Sequence, residues 1–137
     1  LAYTIFDVRN MGGVSSFVNF LEEIVIGTLD TLGVRGYRKE KCTGIWVNDA
    51  KIASLGLNIS KGITTHGFAL NINTDLTYYQ HIIPCGNPEE KVTSLSNVTG
   101  MGFSEVDIKE TIKDQFSTHL DRKMEKVDLS QIYLDNQ

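Results

Sequence analysis

Lys51-Ile52-Ala53-Ser54-Leu55-Gly56-Leu57-Asn58-Ile59-Ser60 carries the alternation of a strand: Ala53, Leu55, Leu57 and Ile59 point one way, and Ser54, Gly56, Asn58 and Ser60 the other. One face suits a core. The other is small and polar. Downstream, Thr65-His66-Gly67-Phe68-Ala69-Leu70-Asn71-Ile72-Asn73 divides in the same way, with Phe68, Leu70 and Ile72 on one face and Gly67, Ala69, Asn71 and Asn73 on the other. If the two runs are neighbouring strands, Ser54, Gly56, Gly67 and Ala69 leave a void where close packing would place bulk. Either a ligand fills that void or another element covers it.

Upstream, Thr43-Gly44-Ile45-Trp46-Val47 reads as a strand, tied to the one starting at Lys51 by the tight connection Asn48-Asp49-Ala50. Phe17, Val18, Leu21, Ile24, Val25, Leu29 and Leu32 follow a 3.6-residue repeat, which predicts a helix with one buried stripe. Ser15 or Ser16 is expected to cap it and Gly33 to end it. Before it, Ala2 to Val8 is β-prone and ends at Arg9-Asn10 and Gly12-Gly13.

Downstream, Asp75 to Ile83 predicts a short helical turn and a strand leading into Pro84-Cys85-Gly86-Asn87-Pro88, where the only two prolines bracket a cysteine. Val92-Thr93-Ser94-Leu95 is β-like or a loop. A last helix, Glu105 to Arg122, is announced by Ser104 and Asp107 as a capping box, by a Phe103–Ile108 staple, and by Ile108, Ile112, Phe116 and Leu120 at four-residue intervals. From about Met124 the chain is polar and expected to fray. The 137 residues, 41% hydrophobic, suffice for one domain with a real core but hardly for two. The expected class is α/β, a mixed sheet with the two helices packed on it.

No apolar run reaches the roughly 20 residues of a membrane span. A net charge of −4 argues against nucleic acid as partner. The exception is Arg35-Gly36-Tyr37-Arg38-Lys39-Glu40-Lys41, a basic cluster that reads as a solvated loop or as a surface for an acidic protein. Cys42 and Cys85 make neither a disulfide framework nor a metal motif, so no metal ligand is assigned and a reducing compartment is expected. Cysteine is a nucleophile as the thiolate, which a nearby cation or base favours. His66, His81 and Lys51 are the candidates for that partner, and spacing does not choose between them.

Gly44-Ile45-Trp46-Val47, Lys51 to Gly56, Thr64 to Asn71, Asp75-Leu76, Ile83-Pro84-Cys85-Gly86 and Val92 to Leu95, in this order and at close spacing, resemble the octanoyltransferase family of lipoate biosynthesis. The resemblance implies a catalytic domain similar to that of biotin and lipoate ligases. It also implies a two-step acyl transfer, in which octanoyl passes from acyl carrier protein to a cysteine as a thioester and then to a lysine of a lipoyl domain. Acceptors would be the lipoyl domains of 2-oxoacid dehydrogenases and the glycine cleavage H protein. By motif position Cys85 is the nucleophile and Lys51 the residue that favours its thiolate. Ser54, Leu55 and Gly56, with Gly67, Phe68 and Ala69 and the adjoining His66, are the acyl-binding positions. No cofactor is required. The expected location is the cytoplasm, or a mitochondrion or plastid in a eukaryote. Members of the family carry an N-terminal part upstream of Ala2-Tyr3, so a preceding segment is expected. Two other readings stand beside this one: a lipoate- or biotin-attaching ligase, for which no phosphate-cradling glycine motif is found, and a non-catalytic acyl- or carrier-binding remnant.

Overall fold

Two tight hairpins build the sheet. In the computed structural model, which describes residues 1–81, 89–128 and 130, β2 (Ile45–Val47) turns into β3 (Ala50–Ser60) through Asn48 and Asp49, both at positive φ (49° and 64°). β3 turns into β4 (Ile63–Leu70) through Lys61 and Gly62, again both positive (52° and 82°). These are the two-residue turns whose twist matches that of paired strands. With β1 (Ala2–Tyr3) at the edge, the order is β1-β4-β3-β2, each pair antiparallel, and a parallel bridge joins Lys51 to Val92. The α/β class expected from the sequence is the class observed.

The predicted first strand is regular only at Ala2–Tyr3, because the Thr64 side chain intrudes into the pairing beyond it. Its Oγ1 accepts from the Phe6 N–H (2.8 Å) and donates to the Thr4 carbonyl (2.8 Å). The chain nevertheless stays beside β4 as far as Asp7, which bridges Ile63.

α1 (Val14–Thr31) lays Phe17, Leu21, Ile24, Val25 and Leu29 on the sheet, all fully buried and each stabilising the fold by roughly 1.5–3 kcal/mol. Its start differs from expectation. Gly13 is the N-cap and makes no side-chain cap bond, while Ser15 and Ser16 lie inside the first turn, where Ser16 Oγ donates back to the Gly12 carbonyl (3.1 Å). Its end is as expected. Gly33, at φ 73°, donates to Asp30 and Val34 donates to Leu29, the paired bonds that satisfy the last carbonyls of a helix.

Val92, Thr93 and Ser94 form the bridge and loop that the sequence suggested, and α2 (Leu95–Thr99), capped by Ser94, takes over at Leu95 without a signal in the sequence. A five-residue helix is too short to display a period. α3 (Glu105–Leu120) begins at Ser104 as predicted, with Ser104 Oγ accepting from the Asp107 N–H (3.4 Å). It packs chiefly against α1, and Phe6, Phe17, Phe20 and Phe116 form an aromatic cluster between helices and sheet. After α3, residues 121–128 are exposed and without regular structure. The predicted strand at Ile82–Ile83 lies outside the described residues. No helix among the described residues is long and apolar enough to cross a membrane.

The basic cluster is partly structural. Arg38 reaches back to α1, where its Nε donates to Glu22 Oε2 (2.7 Å) and its terminal nitrogen to Glu23 (2.8 Å) and the Asn19 carbonyl (3.0 Å). Glu22 is buried and also accepts from the Gly44 N–H (3.1 Å), so this pair fixes the approach to β2. Arg38→Ala would strand a buried carboxylate, and the expected loss is about 3 kcal/mol of stability, read from urea unfolding. A loss below about 1 kcal/mol would mean that water replaces the guanidinium.

Candidate active site

The strand register turns the small residues into a patch. Ser54 sits directly across from Ala69 and Gly56 across from Gly67, while Leu55 and Phe68, on the other face, join the apolar core. β1 adds a rim, since Tyr3 pairs with Gly67. Ser54, Leu55, Gly56, His66, Gly67, Phe68 and Ala69 line one groove of about 270 Å3 together with Leu1, Ala2 and Tyr3. Every acyl-binding position expected from the sequence is thus in one place. The volume lies near the small end of ligand pockets, as suits a slender ligand. Of the two ways to fill the void, no described element covers its β3 half: Ser54 and Gly56 are exposed, and a Cβ at Gly56 would meet nothing within 4 Å. At Gly67, by contrast, a Cβ would run into the Ala2 carbonyl.

Lys51 is aimed by a bulge. Ile45 pairs with Ala53, but Trp46 pairs with Lys51, so Ile52 is an extra residue on β3. Ile52 and Ala53 are consequently both buried in the core, and Lys51 falls on the opposite face with Trp46. That is the face of Ser54 and Gly56. Alternation run backwards from Ala53 would have put Lys51 in the core. Lys51 is only 6% exposed, and its Nζ lies 5.0 Å from the centre of the Trp46 ring. The stem passes over Gly44, which has φ 139° and where a Cβ would come within 2.6 Å of Lys51 Cε.

The backbone of Lys51 holds the returning chain. Its N–H donates to the Lys91 carbonyl (2.7 Å), and its carbonyl accepts from the Thr93 N–H (2.9 Å). Asn71 fastens the same segment: its side chain donates to the Thr93 carbonyl (3.0 Å) and accepts from the Tyr79 hydroxyl (3.4 Å). Glu90 accepts from the Trp46 indole N–H (2.9 Å). Cys85 and the side chain of His81 lie outside the described residues. His66 pairs with Leu57, six residues along β3 from Lys51 and so about 20 Å away, and its ring stands beside that of Tyr3 at 6.4 Å. Among the described residues His66 therefore belongs to the groove and not to the surroundings of Lys51.

The sequence reading assigned no role to Trp46, Gly44 or Glu90. The first two stood inside a quoted motif, but nothing in their spacing announces a bulge. Tyr3, on the groove's rim, belongs in the sequence only to a β-prone run, and Leu1 lies ahead of that run.

The family model of the lipoyl protein ligase A/B catalytic domain matches residues 1–117. Curated relatives include an octanoyltransferase of Caldanaerobacter subterraneus, 39% identical over 133 residues, which are 96% of this chain and 58% of the relative. A mitochondrial octanoyltransferase of Arabidopsis thaliana is 44% identical over 101 residues, 72% of this chain and 43% of the relative. The chain spans about half the length of the curated relatives it matches. Among solved structures, a lipoate-protein ligase A bound with ATP superposes with a TM-score of 0.75 at 16% identity, covering 96% of this chain and 57% of that one. The biotin protein ligase of Aquifex aeolicus gives 0.68 at 15%, covering 87% and 51%. The structural likeness carries the fold and the family model carries kinship: the chain belongs to the lipoyl protein ligase A/B catalytic domain family.

Proposed function

We propose that this chain supplies the catalytic side of an octanoyltransferase. The observation that carries the reading is the bulge at Ile52, which puts Lys51 on the same sheet face as the open patch Ser54–Ala69 and Gly56–Gly67. A charged or proton-accepting amine and a groove for a slender apolar chain then share one surface. The relatives named octanoyltransferase support the acyl group and the reaction type.

In the proposed sequence the Cys85 thiolate attacks the thioester carbonyl of an octanoyl-acyl carrier protein. A new S–C bond forms, the carrier's S–C bond breaks, and the carrier thiol leaves with the proton that Cys85 gave up through Lys51. The ε-amine of a lipoyl-domain lysine then attacks the enzyme thioester. An amide forms and the Cys85 thiolate is released; of the two protons that the incoming ammonium loses, Lys51 takes one and the other passes to solvent. The acceptors are lipoyl domains of 2-oxoacid dehydrogenases and the glycine cleavage H protein, in the cytoplasm or, for a eukaryotic source, a mitochondrion or plastid. The chain is read as one catalytic unit with a polar tail from about Met124, within what is taken as a longer protein.

Intact-mass measurement after mixing with octanoyl-acyl carrier protein tests this. One octanoyl group, mapped to Cys85, labile to hydroxylamine and passed on to an added lipoyl domain without ATP, is the expected result. If neither this chain nor a form extended to the length of its relatives acquires the adduct, the transferase reading fails. A strict need for ATP would favour a ligase.

Gly56→Leu probes the groove separately. Because position 56 has free space above it, the fold should keep its melting temperature within a few degrees. The side chain would occupy the groove and slow acylation by at least about 10-fold, the scale of several methylenes denied burial. An unchanged acylation rate would place the acyl chain elsewhere.

A further inference from the structure

Trp46 is fully buried, yet it is absent from the apolar core that takes its neighbours Ile45 and Val47. It lies on the opposite face, and each part of its ring system has a partner. The Lys51 ammonium stands 5.0 Å from the ring centre and that of Lys39 5.5 Å, both within cation–π range. The indole N–H is bonded to Glu90 at 2.9 Å, on the segment that Lys51 pairs with through its own backbone. The indole N–H of a buried tryptophan needs an acceptor even where packing is its only role, but packing alone does not call for the cations on its face.

We propose that Trp46 is a positioning residue for the acyl transfer: its ring sets the place of the Lys51 ammonium, and its N–H holds the segment returning from Cys85 against that lysine. Gly44 completes the device by leaving room for the lysine stem. The assignment rests on the transferase reading, and it concerns how Lys51 is held. Trp46 acts through Lys51.

The test compares Trp46→Leu with Trp46→Phe in the acylation assay. Leucine removes both the ring face and the N–H and should lower kcat roughly 10-fold, with KM for the carrier protein within about 2-fold, whereas phenylalanine keeps a ring face but loses the N–H and should recover only part of the rate. In the same samples, alkylation of Cys85 is measured against exposed Cys42 as an internal reference thiol. The ratio should fall in Trp46→Leu and recover in part in Trp46→Phe. Equal rates and alkylation ratios in folded Trp46→Leu and the parent chain would overturn the proposal.

Trp46 is the only tryptophan, so a second readout needs neither activity nor a change in the indole. Lys51→Met should alter the emission of the folded chain by removing the cation from the ring, and unaltered emission would overturn the contact. Should the parent chain itself fail to be octanoylated at any length, the transferase reading falls while the emission arm still reports on the lysine–indole pair. The two failures are therefore distinguishable.

Discussion

Cys85→Ser should abolish the hydroxylamine-labile octanoyl adduct, leaving no mass gain after an incubation that fully acylates the parent chain. The reason is ionisation. A thiol loses its proton within reach of neutral pH when a cation is near, and the thiolate then attacks a thioester whose leaving group is another thiolate, so the exchange is nearly balanced. A serine hydroxyl holds its proton far more tightly, and the esters it forms are not labile to hydroxylamine in the manner of a thioester. Cys42→Ser is the control. That cysteine is exposed and belongs to the loop ahead of β2, and its loss should leave the adduct intact. An adduct that survives Cys85→Ser and vanishes with Cys42→Ser would move the nucleophile to the loop ahead of β2.

Lys51→Ala should slow adduct formation by roughly 10²- to 10⁴-fold, the usual worth of a positioned proton-transfer group. Lys51→Arg separates the two tasks assigned to this residue. Arginine keeps a positive charge but does not give up its proton in a protein, so it can favour a thiolate and cannot accept a proton from an incoming amine. The expected pattern is partial recovery of the thioester step and none of the amide step, read as an octanoyl-enzyme that accumulates in the presence of a lipoyl domain. Full turnover in Lys51→Arg would show that Lys51 acts only through its charge. Full turnover in Lys51→Ala would remove it from the mechanism.

How much of this could be read beforehand depended on whether the signal was local. The patch Ser54, Gly56, Gly67 and Ala69 was legible because it follows from a period of two on adjacent strands, and the observed register pairs those residues directly. α1 and α3 were legible from a period near 3.6. The start of α1 was misplaced because serine outranks glycine as a cap, although here the turn at Gly12 and Gly13 sets where the helix can begin. Arg38 was read as surface charge, and only the folded chain brings it to Glu22, 16 residues earlier on α1. The same holds for Trp46 and Glu90, 44 residues apart. Tertiary pairs of this kind leave no period behind them.

The bulge at Ile52 has one more consequence. Elsewhere on β3 the identity of a residue decides what a position contributes, but at Lys51 the number of residues between it and Ala53 decides which side of the sheet it serves. Substitution scanning cannot reveal that dependence, since any side chain at position 52 preserves the count. In a comparison of related chains, a one-residue gap at this point would therefore carry meaning: a chain without residue 52 would keep the lysine and the Ala-Ser-Leu-Gly after it and still present that lysine to the wrong side.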